Sequence, residues 1–94
     1  MIKKIKGKGP FKVKVNGGAK KLHVKDGGKD HYGTPDKIVF NFRFWDTGCG
    51  RCSTNIEYMK LVSERLVNFP AHLDELEFLT DLDKRGLIEI KKAN

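Results

Sequence analysis

Apolar and charged residues alternate with period two over Phe11-Lys12-Val13-Lys14-Val15, the signature of a half-buried strand. Asn16-Gly17-Gly18 follows, and such residues tolerate the positive φ of a tight hairpin turn. Alternation resumes at Leu22-His23-Val24-Lys25. The pattern predicts a hairpin that puts Phe11, Val13, Val15, Leu22 and Val24 on one face, with Lys12, Lys14, Lys21, His23 and Lys25 on the other. Residues 26–36, rich in glycine and aspartate, read as a long loop.

Ile38-Val-Phe-Asn-Phe-Arg-Phe-Trp45 predicts a central strand. Its aromatic and β-branched content favours a pleated setting. In that reading Ile38, Phe40, Phe42 and Phe44 face the core, and Val39, Asn41, Arg43 and Trp45 face away.

Helical spacing takes over afterwards. Thr54-Asn-Ile-Glu57 fits a capping box, in which the threonine hydroxyl takes the N3 amide proton and the glutamate returns to the cap amide. Ile56, Met59, Val62 and Leu66 then mark an apolar stripe. Pro70 suits a first helical position. Leu73, Leu76, Leu79 and Leu82 mark a second helix, with Asp74, Glu77, Asp81 and Asp83 toward solvent. Gly86 ends it as a C′ glycine with Leu87 packing back on Leu82, and residues 87–91 form a short last strand. The fold class is α+β: a small, mainly antiparallel sheet (hairpin, central strand, C-terminal strand) with two helices on one face, in a single domain spanning 1–94.

Charge adds an asymmetry. The 94 residues carry a net charge of +7. Residues 1–47 hold 12 Lys/Arg against 4 Asp/Glu, and residues 48–94 hold 7 against 8, so the first half is strongly basic. That balance suits an acidic partner, either nucleic acid or an acidic protein. With the helices on one face, Lys12, Lys14, Lys21, His23, Lys25 and Arg43 share the other, with Trp45 at its edge. Lysines there neutralise phosphates without reading sequence, and Trp45 and Tyr32 are the aromatic platforms on which bases could stack. No consensus aromatic RNA-recognition strand is present. The first reading is therefore a non-enzymatic module binding nucleic acid through Lys12, Lys14, Lys21, Lys25, Arg43 and Trp45. The alternative is a protein-binding regulator or inhibitor, of the kind found among phage and plasmid accessory proteins.

No apolar run is long enough to span a bilayer. The basic start, Met1 to Lys6, has no apolar segment after it, so a cytoplasmic protein without membrane contact is expected. In that compartment Cys49 and Cys52 are expected as thiols or metal ligands rather than as a disulfide.

Cys49-Gly50-Arg51-Cys52 precedes the first helix. Together with Phe44-Trp45-Asp46-Thr47-Gly48, this stretch resembles the active-site segment of thioredoxin-like proteins, in which an apolar strand ends in Phe-Trp and a Cys-Gly-x-Cys opens a helix. The resemblance covers residues 37–66. It implies thiol–disulfide exchange with Cys49 attacking and Cys52 resolving, favoured by the dipole of the helix. A Cys-x-x-Cys pair is also half of a tetrahedral zinc site, and His23 and His31 are the residues that could complete it. No serine–histidine–acid constellation, paired-carboxylate signature or glycine-rich nucleotide loop is visible, so hydrolysis and group transfer are not indicated.

Overall fold

The computed structural model describes residues 9–16, 22–48 and 52–93. Within them the fold is α+β: strands β1 (Phe11–Val15), β2 (Asp30–Gly33) and β3 (Ile88–Lys92), with helices α1 (Pro35–Trp45), α2 (Asn55–Arg65) and α3 (Glu75–Lys84). The three strands form one antiparallel sheet in the order β2-β1-β3. Helix α1 packs against β2 and α3 against β3, while α2 packs on both of those helices. Among the described residues there are three helices rather than the two expected.

β1 behaves as its alternation requires. Phe11, Val13 and Val15 are buried and Lys14 is exposed. Its partners differ from the expected ones. Phe11 lies opposite Gly33 and Lys92, Val13 opposite His31 and Ile90. Beyond the strand, the Asn16 amide donates to the Leu87 carbonyl (3.0 Å) and its side chain to that of Gly86 (3.1 Å), which extends the β1–β3 pairing. The Gly17-Gly18 turn lies outside the described residues. Leu22 and Val24 are buried as expected, but they do not pair with β1. Val24 bridges to Asp46, with the Lys25 amide donating to the Trp45 carbonyl and the Thr47 amide to that of His23. The predicted loop 26–36 contains β2 and the start of α1.

The largest correction concerns residues 38–45, which are helical rather than a central strand. The segment carries both periods. Phe40, Phe42 and Phe44 repeat every second residue, whereas Ile38, Val39, Phe42 and Trp45 recur at helical spacing. Signals just upstream decide between them. Thr34 occupies the N-cap, Pro35 takes the first turn where a missing amide proton costs nothing, Asp36 sits in that first turn and Arg43 in the last. Ile38, Val39 and Phe42 are fully buried, but Phe40 and Phe44 face solvent. The apolar strand that the thioredoxin-like resemblance implies ahead of the cysteines is therefore this helix.

The other two helices follow their signals more closely. Both halves of the Thr54/Glu57 capping box are present. The Ser53 hydroxyl and amide and the Thr54 groups all hydrogen-bond with Glu57, and they hold its carboxyl below the usual range. Met59, Val62 and Leu66 are buried, joined by Tyr58, while Ile56 is exposed. Helix α3 starts later than Pro70 implies, with Asp74 as its cap accepting from the Leu76 amide. Leu73 therefore precedes the helix and is exposed, and Phe78 takes the core place beside Leu79 and Leu82. Gly86 has φ 77°, its amide donates to Asp83 and the Leu87 amide to Leu82, a complete Schellman closure. Burying a side chain the size of Phe42 or Phe78 contributes roughly 1.5–3 kcal/mol, and about twenty such groups make one continuous core.

Among the described residues no helix is long and apolar enough to cross a membrane.

Candidate nucleic-acid interface

The helices cover the Phe11/Val13/Val15 face, and among the described residues nothing packs on the other face of the sheet. Strand register sorts that open face into two rows. One runs Asp30–Lys14–Glu89 and the other Tyr32–Lys12–Lys91. The rows differ in charge. Lys14 lies between two carboxylates, which neutralise it locally. Lys12 lies between a phenol and a second lysine. Lys91 reaches Glu89 along its own strand at 3.7 Å, with both groups half-exposed, a contact of little energetic weight.

The second row borders a hollow at the end of the sheet. Pro10, Lys12, Tyr32, Gly33, Lys92 and Ala93 line about 620 Å³ of open volume. Tyr32 is 57% exposed, so its ring is free to receive a flat partner. The backbone closes tightly behind it. The Ala93 amide donates to the Pro10 carbonyl (3.0 Å). Gly9 has φ 90°, which strains any side chain there, and a β-carbon would sit tightly at 3.0 Å from Phe11 and 3.2 Å from the Gly33 carbonyl oxygen. Lys12 thus projects from a strand rather than from a loop, and Lys92, opposite Phe11, borders the hollow from the other side of the sheet's end.

The sequence-predicted residues divide. Lys12 and Lys14 are together on the sheet, though in rows of different character. Lys21 lies outside the described residues. Lys25 is exposed beside the C-terminal end of α1, where its amide holds the Trp45 carbonyl, and is not part of the sheet. Arg43 is on α1, donating to Asn55 Oδ1 (3.0 Å) and lying over the Phe40 ring. Trp45 is half-buried against the core, with Lys29 Nζ 5.4 Å from its ring. Because residues 38–45 are helical, Arg43 and Trp45 do not join the lysines of β1. Sequence reading missed Lys91 and Lys92, and for Lys91 the signal was available: Glu89 and Lys91 alternate with Ile88 and Ile90 in the last strand, whereas Lys92 shares the phase of the isoleucines.

No known family, curated protein or solved structure matches this chain.

The two candidate zinc histidines sit in different surroundings. His31 is 2% exposed on the covered face, its Nε2 2.6 Å from Asp26 Oδ2 and its ring edge-on to Phe42. His23 is exposed at φ 61° and lines a hollow of about 430 Å³ with Arg65, Val67 and Arg85. Among the described residues no three His, Cys, Asp or Glu side chains gather to hold a metal. Cys52 is half-buried against the core and is disulfide-bonded rather than the thiol or ligand expected; Cys49 lies outside the described residues.

Two ionic clusters serve the fold. Arg65 binds Asp46 through both terminal nitrogens, Nη1 to Oδ2 at 2.7 Å and Nη2 to Oδ1 at 3.1 Å, and Nη1 also donates to the Leu22 carbonyl at 3.1 Å. The Gly48 amide donates to Asp46 Oδ1 (2.8 Å), and a β-carbon at Gly48 would meet Arg65 Nη2 at 2.6 Å. Among the described residues the buried Tyr58 hydroxyl has no hydrogen-bond partner of good geometry. Its burial, and next the neighbouring Asp46 charge, push the phenol well above its ordinary pKa. In the second cluster Asp81 accepts from Arg85 Nε (2.9 Å) and pairs with His72 Nε2 (2.8 Å). Burial raises the Asp81 carboxyl, but the bonds from His72 and Arg85 outweigh it and hold the pKa below the usual range.

Proposed function

We propose that this protein binds single-stranded nucleic acid at the Pro10–Lys12–Tyr32–Lys92 end of its sheet. The observation that carries the reading is the carboxylate-free row Tyr32–Lys12–Lys91 beside the open hollow. Lys12 and Lys91 would neutralise backbone phosphates from the open face, and Lys92 from the rim of the hollow. Tyr32 would stack on one base, a contact every base can make, so recognition is tolerant of sequence. Lys14 contributes less because Asp30 and Glu89 flank it. A sheet corner with one ring and three cations has room for a few nucleotides, so modest affinity and strong salt dependence follow.

The test is an anisotropy titration with a fluorescein-labelled oligo-dT at several salt concentrations. Three phosphate contacts give a log–log slope of about −2 on a single strand, and Lys12→Gln with Lys91→Gln removes about 1.4 of it. Tyr32→Ala weakens binding about tenfold, within the range for one stacked base. Binding that is absent at low salt, flat with salt, or unchanged in these variants contradicts the reading. Tighter binding by a polyglutamate peptide than by oligo-dT would move it to an acidic protein partner.

A further inference from the structure

The outer side of α1 carries aromatic surface that the fold does not use. Phe40 and Phe44 lie one turn apart, 43% and 71% exposed, on the side opposite Ile38, Val39 and Phe42. A helix side turned only to water is ordinarily polar. Cations frame these rings. Lys37 Nζ lies 5.4 Å and the Arg43 guanidinium 5.2 Å from the Phe40 centroid, and the Phe44 ring meets Trp45 edge-on at 5.4 Å. The acids on either side of these rings in sequence are engaged within the fold, Asp36 by the Thr34 hydroxyl and Asp46 by Arg65.

We infer that this face docks an acidic amphipathic helix of a partner protein, with an aliphatic stripe against Phe40 and Phe44 and flanking carboxylates on Lys37 and Arg43. Spacing and charge argue for that occupant. Two rings four residues apart match the i, i+4 anchors by which helices recognise one another. The framing charges complement carboxylates, and cation and ring together raise the gain from each contact. Base stacking fits less well, because Lys37 and Arg43 already lie over the Phe40 ring. A second copy fits less well too, because two chains of net charge +7 repel and this face would meet cations like its own. Lys37 borders the sheet corner at Gly33, but the docking face is built on Phe40 and Phe44, so the inference does not depend on nucleic-acid binding.

The probe is a labelled synthetic helix with a leucine stripe flanked by glutamates, compared with a matched peptide carrying lysines instead. The acidic peptide binds the wild-type protein and the lysine peptide does not. Phe44→Ser weakens the acidic peptide about tenfold, as loss of one aromatic anchor does. Lys37→Glu with Arg43→Glu abolishes binding, while Lys12→Gln with Lys91→Gln leaves it unchanged. Of the three altered α1 positions Lys37 and Phe44 are exposed and Arg43 is half-buried, and circular dichroism checks that the variants stay folded. Failure of the acidic peptide to bind, equal binding of both peptides, or no effect of Phe44→Ser overturns the inference. Competition by oligo-dT for the same face, or a wild-type dimer that Phe44→Ser dissolves, reassigns the face and overturns it equally.

Discussion

The junction between α1 and α2 and the free corner of the sheet are both cationic, and they use their charge in opposite directions. At the junction the Arg65 guanidinium is spent on the chain itself, joining the end of α1 through Asp46 to the segment at Leu22. Arg85 does the same elsewhere, reaching Asp81 and the carbonyls of Val67 and Asn68. At the sheet corner Lys12, Lys91 and Lys92 hold no segment in place. The planar guanidinium suits multidentate internal bonding, whereas an ammonium on a flexible stem stays hydrated and available. Basic composition alone therefore overstates the charge a partner can meet, and what counts is which cations the fold has left unspent.

Stability measurements can break that division. Asp46→Ala leaves Arg65 largely buried without its carboxylate. It should cost about 3–5 kcal/mol, read from the midpoint of urea unfolding. A loss under about 1 kcal/mol would mean that the pair is not structural. Asp81→Asn should cost about 1–2 kcal/mol, because charge-assisted bonds from His72 and Arg85 are weakened. The folded Asp81 pKa lies below its unfolded value. Its contribution is thus full above about pH 4 and is lost as pH falls through the folded pKa. The wild-type advantage over Asp81→Asn should shrink in acid, and a difference independent of pH would contradict the assigned cause. At the other end of the scale, the Lys12→Gln/Lys91→Gln variant used for the salt titration should unfold within about 0.5 kcal/mol of wild type. A large destabilisation there would make those lysines part of the fold and blur the comparison.

Much of the fold was legible where local signals agreed with one another. The Thr54/Glu57 capping box, the Gly86 closure and the alternation of β1 each appear where the residues imply. The segment 38–45 was not, because three phenylalanines at every second position mimic a strand, and strand preference depends on context. The decisive Thr34-Pro35-Asp36 start was read as loop. That one change of period carried Arg43 and Trp45 away from the lysines they were grouped with. Half of the binding corner was also hidden. Alternation in the last strand turns Lys91 outward, but it comes beside Lys12 only through the β1–β3 pairing, which joins residues about 80 apart in the chain.

Titrating oligo-dT into ¹⁵N-labelled protein, followed by amide chemical shifts, tests the sheet-corner assignment most directly. The account predicts saturating shifts concentrated at Lys12, Tyr32, Gly33 and Lys91 to Ala93, with Asn16 and the amides of α3 unmoved. Shifts centred on α1, spread evenly over the lysines, or absent altogether would contradict it.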